Sequence, residues 1–83
     1  MTYFVYLIGN YKKSRLITYV GYTNNLKKRL NLHNTGRGAK FTKGRTWKLL
    51  YYEKHLTKRG AILREHYIKK NRKFRDSIKN KFR

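Results

Sequence analysis

Residues Tyr3, Phe4, Val5, Tyr6, Leu7 and Ile8 follow one another without a polar break. A short run of aromatic and β-branched residues of this kind predicts a strand covered on both faces. Residues 9–14 are polar and include Gly9 and Asn10, which predicts a turn, and residues 16–22 read as a second strand. A hairpin closing symmetrically over that six-residue loop pairs Ile8 with Arg15, Tyr6 with Ile17 and Phe4 with Tyr19. Tyr6 and Tyr19 then share a face, one diagonal step apart. Thr23 or Asn24 can cap a helix running to about Asn34, with Gly36 as its stop. On that helix Leu26 and Leu30 define the apolar stripe. Arg29 and His33 lie on or beside it, away from Lys27 and Lys28. Residues 35–45 form a Gly-rich loop, residues 47–53 a third strand, and residues 57–71 a second helix. Phe74, Ile78 and Phe82 recur at i, i+4 and i+8, which predicts a short last helix. The order β-β-α-β-α-α predicts an α+β domain spanning 1–83, a three-stranded, mostly antiparallel sheet flanked by helices.

Charge changes what this domain is for. The 83 residues hold 23 Lys and Arg against three acids, a formal net charge of +20. Self-repulsion on that scale opposes a compact state, and a polyanion relieves it. Phosphate binding with release of counterions is the general source of such affinity. Without a basic amphipathic helix bearing a wide Leu, Trp and Phe face, an acidic membrane is the poorer fit. The chain has no Cys, which excludes disulfides and thiolate zinc sites. The N-terminal apolar run is too short to span a bilayer and lacks a cleavage site. A soluble, intracellular protein is expected, cytoplasmic in a bacterium, with the nucleus open to it in a eukaryote or a virus.

The loop of residues 35–45 carries Arg37, Lys40, Lys43 and Arg45 around one aromatic, Phe41. It lacks the GxxxxGK[ST] pattern of a nucleotide-binding loop. Its cations suit a phosphate backbone, which positions a protein without reading sequence. Phe41, Tyr22 or Trp47 could stack on unpaired bases, although Trp47 suits a core better. Glu53 and Asp76 read most simply as surface charges. Glu65 sits in the stripe of Ala61, Ile62 and Ile68, but Leu63 and Tyr67 make a second stripe on the opposite side. The wheel does not decide between Glu65 facing the sheet and Glu65 exposed in an i,i+4 pair with Lys69. Arg29 as a solvated cation, His33 complementing a helix C-terminus, and Tyr6 and Tyr19 as packing residues are each adequate readings alone.

Together these residues resemble a known family. Tyr19-Val20-Gly21, preceded by Phe4-Val5-Tyr6 on the strand before, resembles the paired signature of the GIY-YIG nucleases. The likeness continues through Thr23-Asn24-Asn25-Leu26, Arg29, His33-Asn34, Gly36 and Trp47-Lys48-Leu49 to Ala61, Arg64-Glu65 and Ile68-Lys69, over about residues 3–70. It is most similar to short stand-alone members and to the Slx1-like nuclease domain. The resemblance implies two tyrosines on the sheet, Tyr6 and Tyr19, with Arg29 on the first helix. It also implies a metal-binding Glu65 on the second helix, pointing at the site, and His33 at a position many members fill with His. The chain departs from the pattern at Phe4, where the first motif has Gly, and at Tyr22, where some members have Lys. A late Asn helps the metal site in several members, and Asn71 and Asn80 are the candidates here.

The chemistry so implied is metal-dependent hydrolysis of DNA. Mg²⁺ (or Mn²⁺) prefers oxygen ligands and keeps several waters, so one carboxylate and a substrate phosphate can hold it. Two-metal sites need several converging acids, and three scattered ones point to a single ion at Glu65. Arg29, always cationic and planar, suits charge building on the phosphate. With no spare carboxylate, Tyr6 is expected as general base, its pKa lowered by positive surroundings, and Tyr19 as the group that positions water or phosphate, with the reverse assignment open. His33 would orient the tyrosine or its water, and Lys69 would join the loop cations on the DNA backbone. By family analogy the substrate is branched, nicked or flap DNA, in repair or recombination; a monomer is expected, with an oligomer left open. The competing readings are a non-catalytic nucleic-acid-binding module of the same fold and a nuclease subunit that needs a regulatory protein partner.

Overall fold

The unbroken apolar run near the N-terminus becomes the middle of a sheet. A computed structural model describes residues 1–82. In it β1 (Tyr3–Lys12) lies between β2 (Arg15–Thr23) and β3 (Lys48–His55), and both pairings are antiparallel. Val5, Leu7 and Val20 face a core completed by Ala61, Ile68 and Ile78. Those three come from α2 (Lys58–Lys70) and α3 (Arg72–Lys79). Tyr6 and Ile8 point the other way, into a cluster with Trp47, Tyr19 and the Leu26 and Leu30 stripe of α1 (Leu26–Asn34). Helices therefore cover both faces, which is why β1 tolerates no polar alternation. The α+β architecture and the element order expected from the sequence are the ones found.

The hairpin differs from the expected one. β1 continues four residues past Ile8, and the turn is Lys13 and Ser14 alone, both with positive φ (48° and 69°). A two-residue turn of this kind matches the twist of the paired strands. Gly9 and Asn10 are strand residues. Leu50 packs across Gly9, where a Cβ would meet its Cδ1 at 2.6 Å, and Asn10 donates to the Thr46 carbonyl at 2.8 Å. Tyr6 consequently pairs with Gly21 instead of Ile17, and Ile8 with Tyr19 instead of Arg15. The slip is four residues along β2, an even number, so every side chain keeps its face. Tyr6 and Tyr19 remain diagonal neighbours.

The remaining differences are local. Asn25, not Thr23 or Asn24, caps α1, its side chain accepting from the Lys28 amide at 3.0 Å. The end of α1 is closed by the Arg37 amide on Leu32 O (2.7 Å) and the Gly36 amide on His33 O (3.2 Å), with Gly36 at φ 80°. β3 starts at Lys48, one residue later than expected, because the Trp47 backbone is held by Asn34 (Asn34 Nδ2 to Trp47 O 3.1 Å). A bulge between Leu7 and Ile8 lets Leu50 and Tyr51 both pack toward the α2 side. Asn71 ends α2 and caps α3, accepting from the Phe74 amide at 3.0 Å. Phe82 falls outside the expected stripe. It sits in a 3₁₀ turn (Asn80–Phe82) and is exposed, while the Tyr11 hydroxyl donates to its carbonyl. Among the described residues no helix is long and apolar enough to cross a membrane.

Candidate functional site

Four residues that the sequence scatters over about sixty positions line one polar cavity of about 380 Å³. They are Tyr6 from β1, Tyr19 from β2, Arg29 from α1 and Glu65 from α2, joined by Gly21, Tyr22, Asn24 and Lys58 among others. The helical wheel had two faces to choose from for Glu65. Leu63 and Tyr67 prove exposed (60% and 51%), Ala61 and Ile68 are buried, and the Glu65 side chain is only 15% exposed. Its nearest cation is Lys69, Nζ to Oε1 3.6 Å, one turn along the helix. A second cavity of about 300 Å³ lies beside Tyr6, between Ile8, Leu26, Leu30 and Leu49. That one is an apolar gap under α1 that includes neither Glu65 nor Tyr19.

Tyr6 reaches the cavity across Gly21. A Cβ at Gly21 would overlap the Tyr6 hydroxyl and come within 2.5 Å of Cζ, so the ring's position requires glycine there. The Tyr6 Oη lies 2.7 Å from His33 Nε2, and His33 is buried rather than capping the helix in solvent. On its other side His33 Nδ1 lies 2.9 Å from Thr42 Oγ1. Gly38 packs on the same imidazole, where a Cβ would stand 2.7 Å from Cγ and Cε1. Burial pushes the Tyr6 phenol well above its ordinary range, and the Arg29 guanidinium beside it only partly opposes this. That is the reverse of the lowered pKa expected from the protein's positive charge. Desolvation acts on the phenolate at short range, whereas most of the protein's cations sit in water. Burial, then Arg29, hold His33 below the usual imidazole value, so it is neutral near pH 7.

Tyr19 is half-buried and stacks on Phe41, ring centroids 6.0 Å apart and planes 20° apart. Phe41 is itself half-exposed, with the Arg45 guanidinium 5.6 Å from its centroid. Arg37, Lys40 and Lys43 are exposed along the same loop, and Lys69 is exposed on α2 next to Glu65. Trp47 is core, its indole N–H donating to the Thr42 carbonyl at 2.9 Å. Of the two late asparagines, Asn71 is committed to its cap and to the Tyr67 hydroxyl (2.8 Å). Neither Asn71 nor Asn80 lines the cavity. Asp76 makes an exposed i,i+4 pair with Arg72 at 3.6 Å.

Glu53 is not a plain surface charge. Its carboxylate accepts from Arg64 Nε (2.6 Å) and Nη2 (3.3 Å), from the Tyr51 hydroxyl and from His55 (2.9 Å). Tyr51 and His55 flank Glu53 on β3, but Arg64 reaches it from α2, a contact that the sequence alone does not reveal. Thr42, Gly38 and Lys58 were likewise missed. A Thr or Gly in a Gly-rich loop and a Lys among 23 cations carry no distinguishing signal.

Among the described residues no three His, Cys, Asp or Glu side chains gather as a metal site. The donor set still fits a hard cation. One part-buried carboxylate opens on a polar cavity with room for waters and phosphate oxygens, the environment in which Mg²⁺ is held by few protein ligands.

The sequence is similar to one domain family and to several known proteins. The model of the GIY-YIG catalytic domain matches residues 2–80. A UPF0213 protein of Clostridium perfringens is 57% identical over 53 residues, covering 63% of this chain and 57% of that protein. UPF0213 protein YazA of Bacillus subtilis is 51% identical over 53 residues, 63% of this chain and 54% of that one. A UPF0213 protein of Bacillus cereus is 46% identical over 65 residues, 76% and 68% of the two chains. The chain thus spans little more than half the length of the first two. No solved structure matches it.

Proposed function

The chain belongs to the GIY-YIG family, and on that premise we propose that it is a divalent-metal-dependent DNA endonuclease using a single ion. The observation that carries the proposal is the convergence of Tyr6, Tyr19, Arg29 and Glu65 on one polar cavity from four separate elements.

In this reading the scissile phosphate enters the cavity. Glu65 is the residue that would hold Mg²⁺ or Mn²⁺. When bound, the ion supplies Lewis-acid polarisation of the phosphate and support for the leaving oxygen. Arg29 neutralises charge that builds on the non-bridging oxygens. Tyr6 takes the proton of the attacking water. A phenol kept protonated by burial can do so only if its own proton leaves in the same step, and His33 Nε2 is the acceptor 2.7 Å away. Tyr19 positions the water or the phosphate. Arg37, Lys40, Lys43, Arg45 and Lys69 bind the DNA backbone without reading bases, and the half-exposed Phe41 ring offers a surface for an unpaired base. By likeness to the family, branched, nicked or flap DNA is the substrate and repair or recombination the setting.

The test is a titration of Mg²⁺ or Mn²⁺ against end-labelled duplex, single-stranded, nicked and branched DNA. Metal-dependent nicking by the isolated chain, stopped by a chelator, is the expected result. Binding without cleavage of any substrate would instead make the chain a non-catalytic binding module. Cleavage that appears only with an added protein would make it a subunit dependent on a partner.

A further inference from the structure

Behind the cavity runs a chain of buried polar contacts whose direction is fixed by hydrogen counting. Thr42 is completely buried. Its Oγ1 lies 3.0 Å from the Ala39 carbonyl, an oxygen that can only accept, so the single hydroxyl hydrogen points there. The same Oγ1 lies 2.9 Å from His33 Nδ1. Having spent its hydrogen on Ala39, it must accept there, and the hydrogen between them belongs to Nδ1. A neutral imidazole carries one N–H. Nε2 is then a bare lone pair, and it faces the Tyr6 hydroxyl at 2.7 Å. The Tyr6 hydroxyl therefore donates to His33, and its oxygen remains an acceptor, with Arg29 among its neighbours.

We propose that Thr42 is a positioning residue that locks His33 in the Nδ1–H tautomer, making Nε2 the acceptor for the Tyr6 proton. The catalytic half of this inference rests on Tyr6 acting as the base; the tautomer lock itself does not. Three features hold Thr42 in place. Its carbonyl accepts the Trp47 indole N–H at 2.9 Å. Trp47 packs in the cluster that contains Tyr6 and Ile8. Gly38 leaves room for the imidazole to lie against the loop. The one alternative gives the Thr42 hydrogen to Nδ1, and it leaves Oγ1 and the Ala39 oxygen 3.0 Å apart with no hydrogen between them. With the opposite tautomer, Nε2–H would donate to the Tyr6 oxygen, and His33 could take no proton from it. During attack the water proton passes to Tyr6 Oη while the Tyr6 hydroxyl proton passes to Nε2. His33 becomes an imidazolium that still donates from Nδ1 to Thr42; once product leaves, its proton passes back to Tyr6 Oη as Tyr6 gives the proton taken from the attacking water to solvent in the cavity.

The experiment is a long-range ¹H–¹⁵N correlation spectrum of the full chain, which distinguishes the two tautomers of His33 by nitrogen shift, combined with single-turnover cleavage. In the unaltered protein the Nδ1–H form is expected. An Nε2–H form there would overturn the proposal before any variant is made. Thr42→Ser keeps the hydroxyl and should keep both tautomer and rate. Thr42→Val keeps the shape and loses the acceptor, so the Nε2–H form should rise and kcat fall on the order of 100-fold with KM unchanged. A Thr42→Val protein that retains the Nδ1–H form contradicts the lock. A shifted tautomer with an undiminished kcat leaves the lock standing and removes Tyr6 from the role of base. If Thr42→Val fails to fold, the unaltered protein and Thr42→Ser still decide the tautomer.

Discussion

Gly21 shows how one missing side chain shapes the site. Tyr6 and Gly21 are cross-strand partners, and the phenol of one occupies the space where the other would carry a methyl group. Gly21→Ala must push the ring aside and break its bond to His33. Overpacking of this sort destabilises by about 1–3 kcal/mol, and cleavage should fall far more than that loss of folded protein explains. Thermal melting beside single-turnover rates on the folded fraction checks this; a normal rate would mean that the Tyr6 and His33 contact is not used. Gly21, both tyrosines, Arg29 and Glu65 were legible because they recur in a recognisable order. The reason for Gly21 was not, since it lies in a contact across strands. Thr42 and Gly38 were invisible for the same reason. Each acts only through the His33 ring, on another element.

At the scale of elements, the sheet's alternation was written plainly in residues 3–8, and the even slip of the hairpin preserved it. The turn was misread because Gly9 and Asn10 carry the usual turn chemistry, whereas Lys13 and Ser14, which make the turn, do not. Pairing of β1 along its whole length with β2 outweighed that local preference. The join between β3 and α2 was equally hidden, and there the sign of an electrostatic effect can be worked out. Burial alone would raise the Glu53 pKa, but hydrogen bonds from Arg64, Tyr51 and His55 outweigh it and hold the carboxyl below its ordinary range. A carboxylate with a depressed folded pKa contributes stability that is present above the unfolded value and lost as pH falls through the folded one. Glu53→Gln should therefore cost about 1–3 kcal/mol at neutral pH, and its difference from the unaltered protein should shrink as pH drops below the usual carboxylate range. Urea melts at a series of pH values measure this. A difference independent of pH would place the effect in packing instead of charge.

Over the whole molecule, 23 basic side chains and three acids serve different ends. In the proposed reading the cations serve a polyanion, and removing any one of them should lower affinity little. Two of the acids are occupied with structure, Glu53 in its network and Asp76 in a surface pair. Glu65 alone among the three faces the polar cavity, with Arg29 in the same lining. Binding and cutting should separate accordingly. The decisive measurement is cleavage of branched DNA in Mg²⁺ by Glu65→Gln and by Arg29→Ala, with Kd determined on the same substrate at the same salt. Cutting is predicted to fall by roughly 100-fold or more in each, with Kd changed by no more than a few-fold. Undiminished cutting by either variant would contradict the assignment of this cavity as the place where the phosphodiester bond is broken.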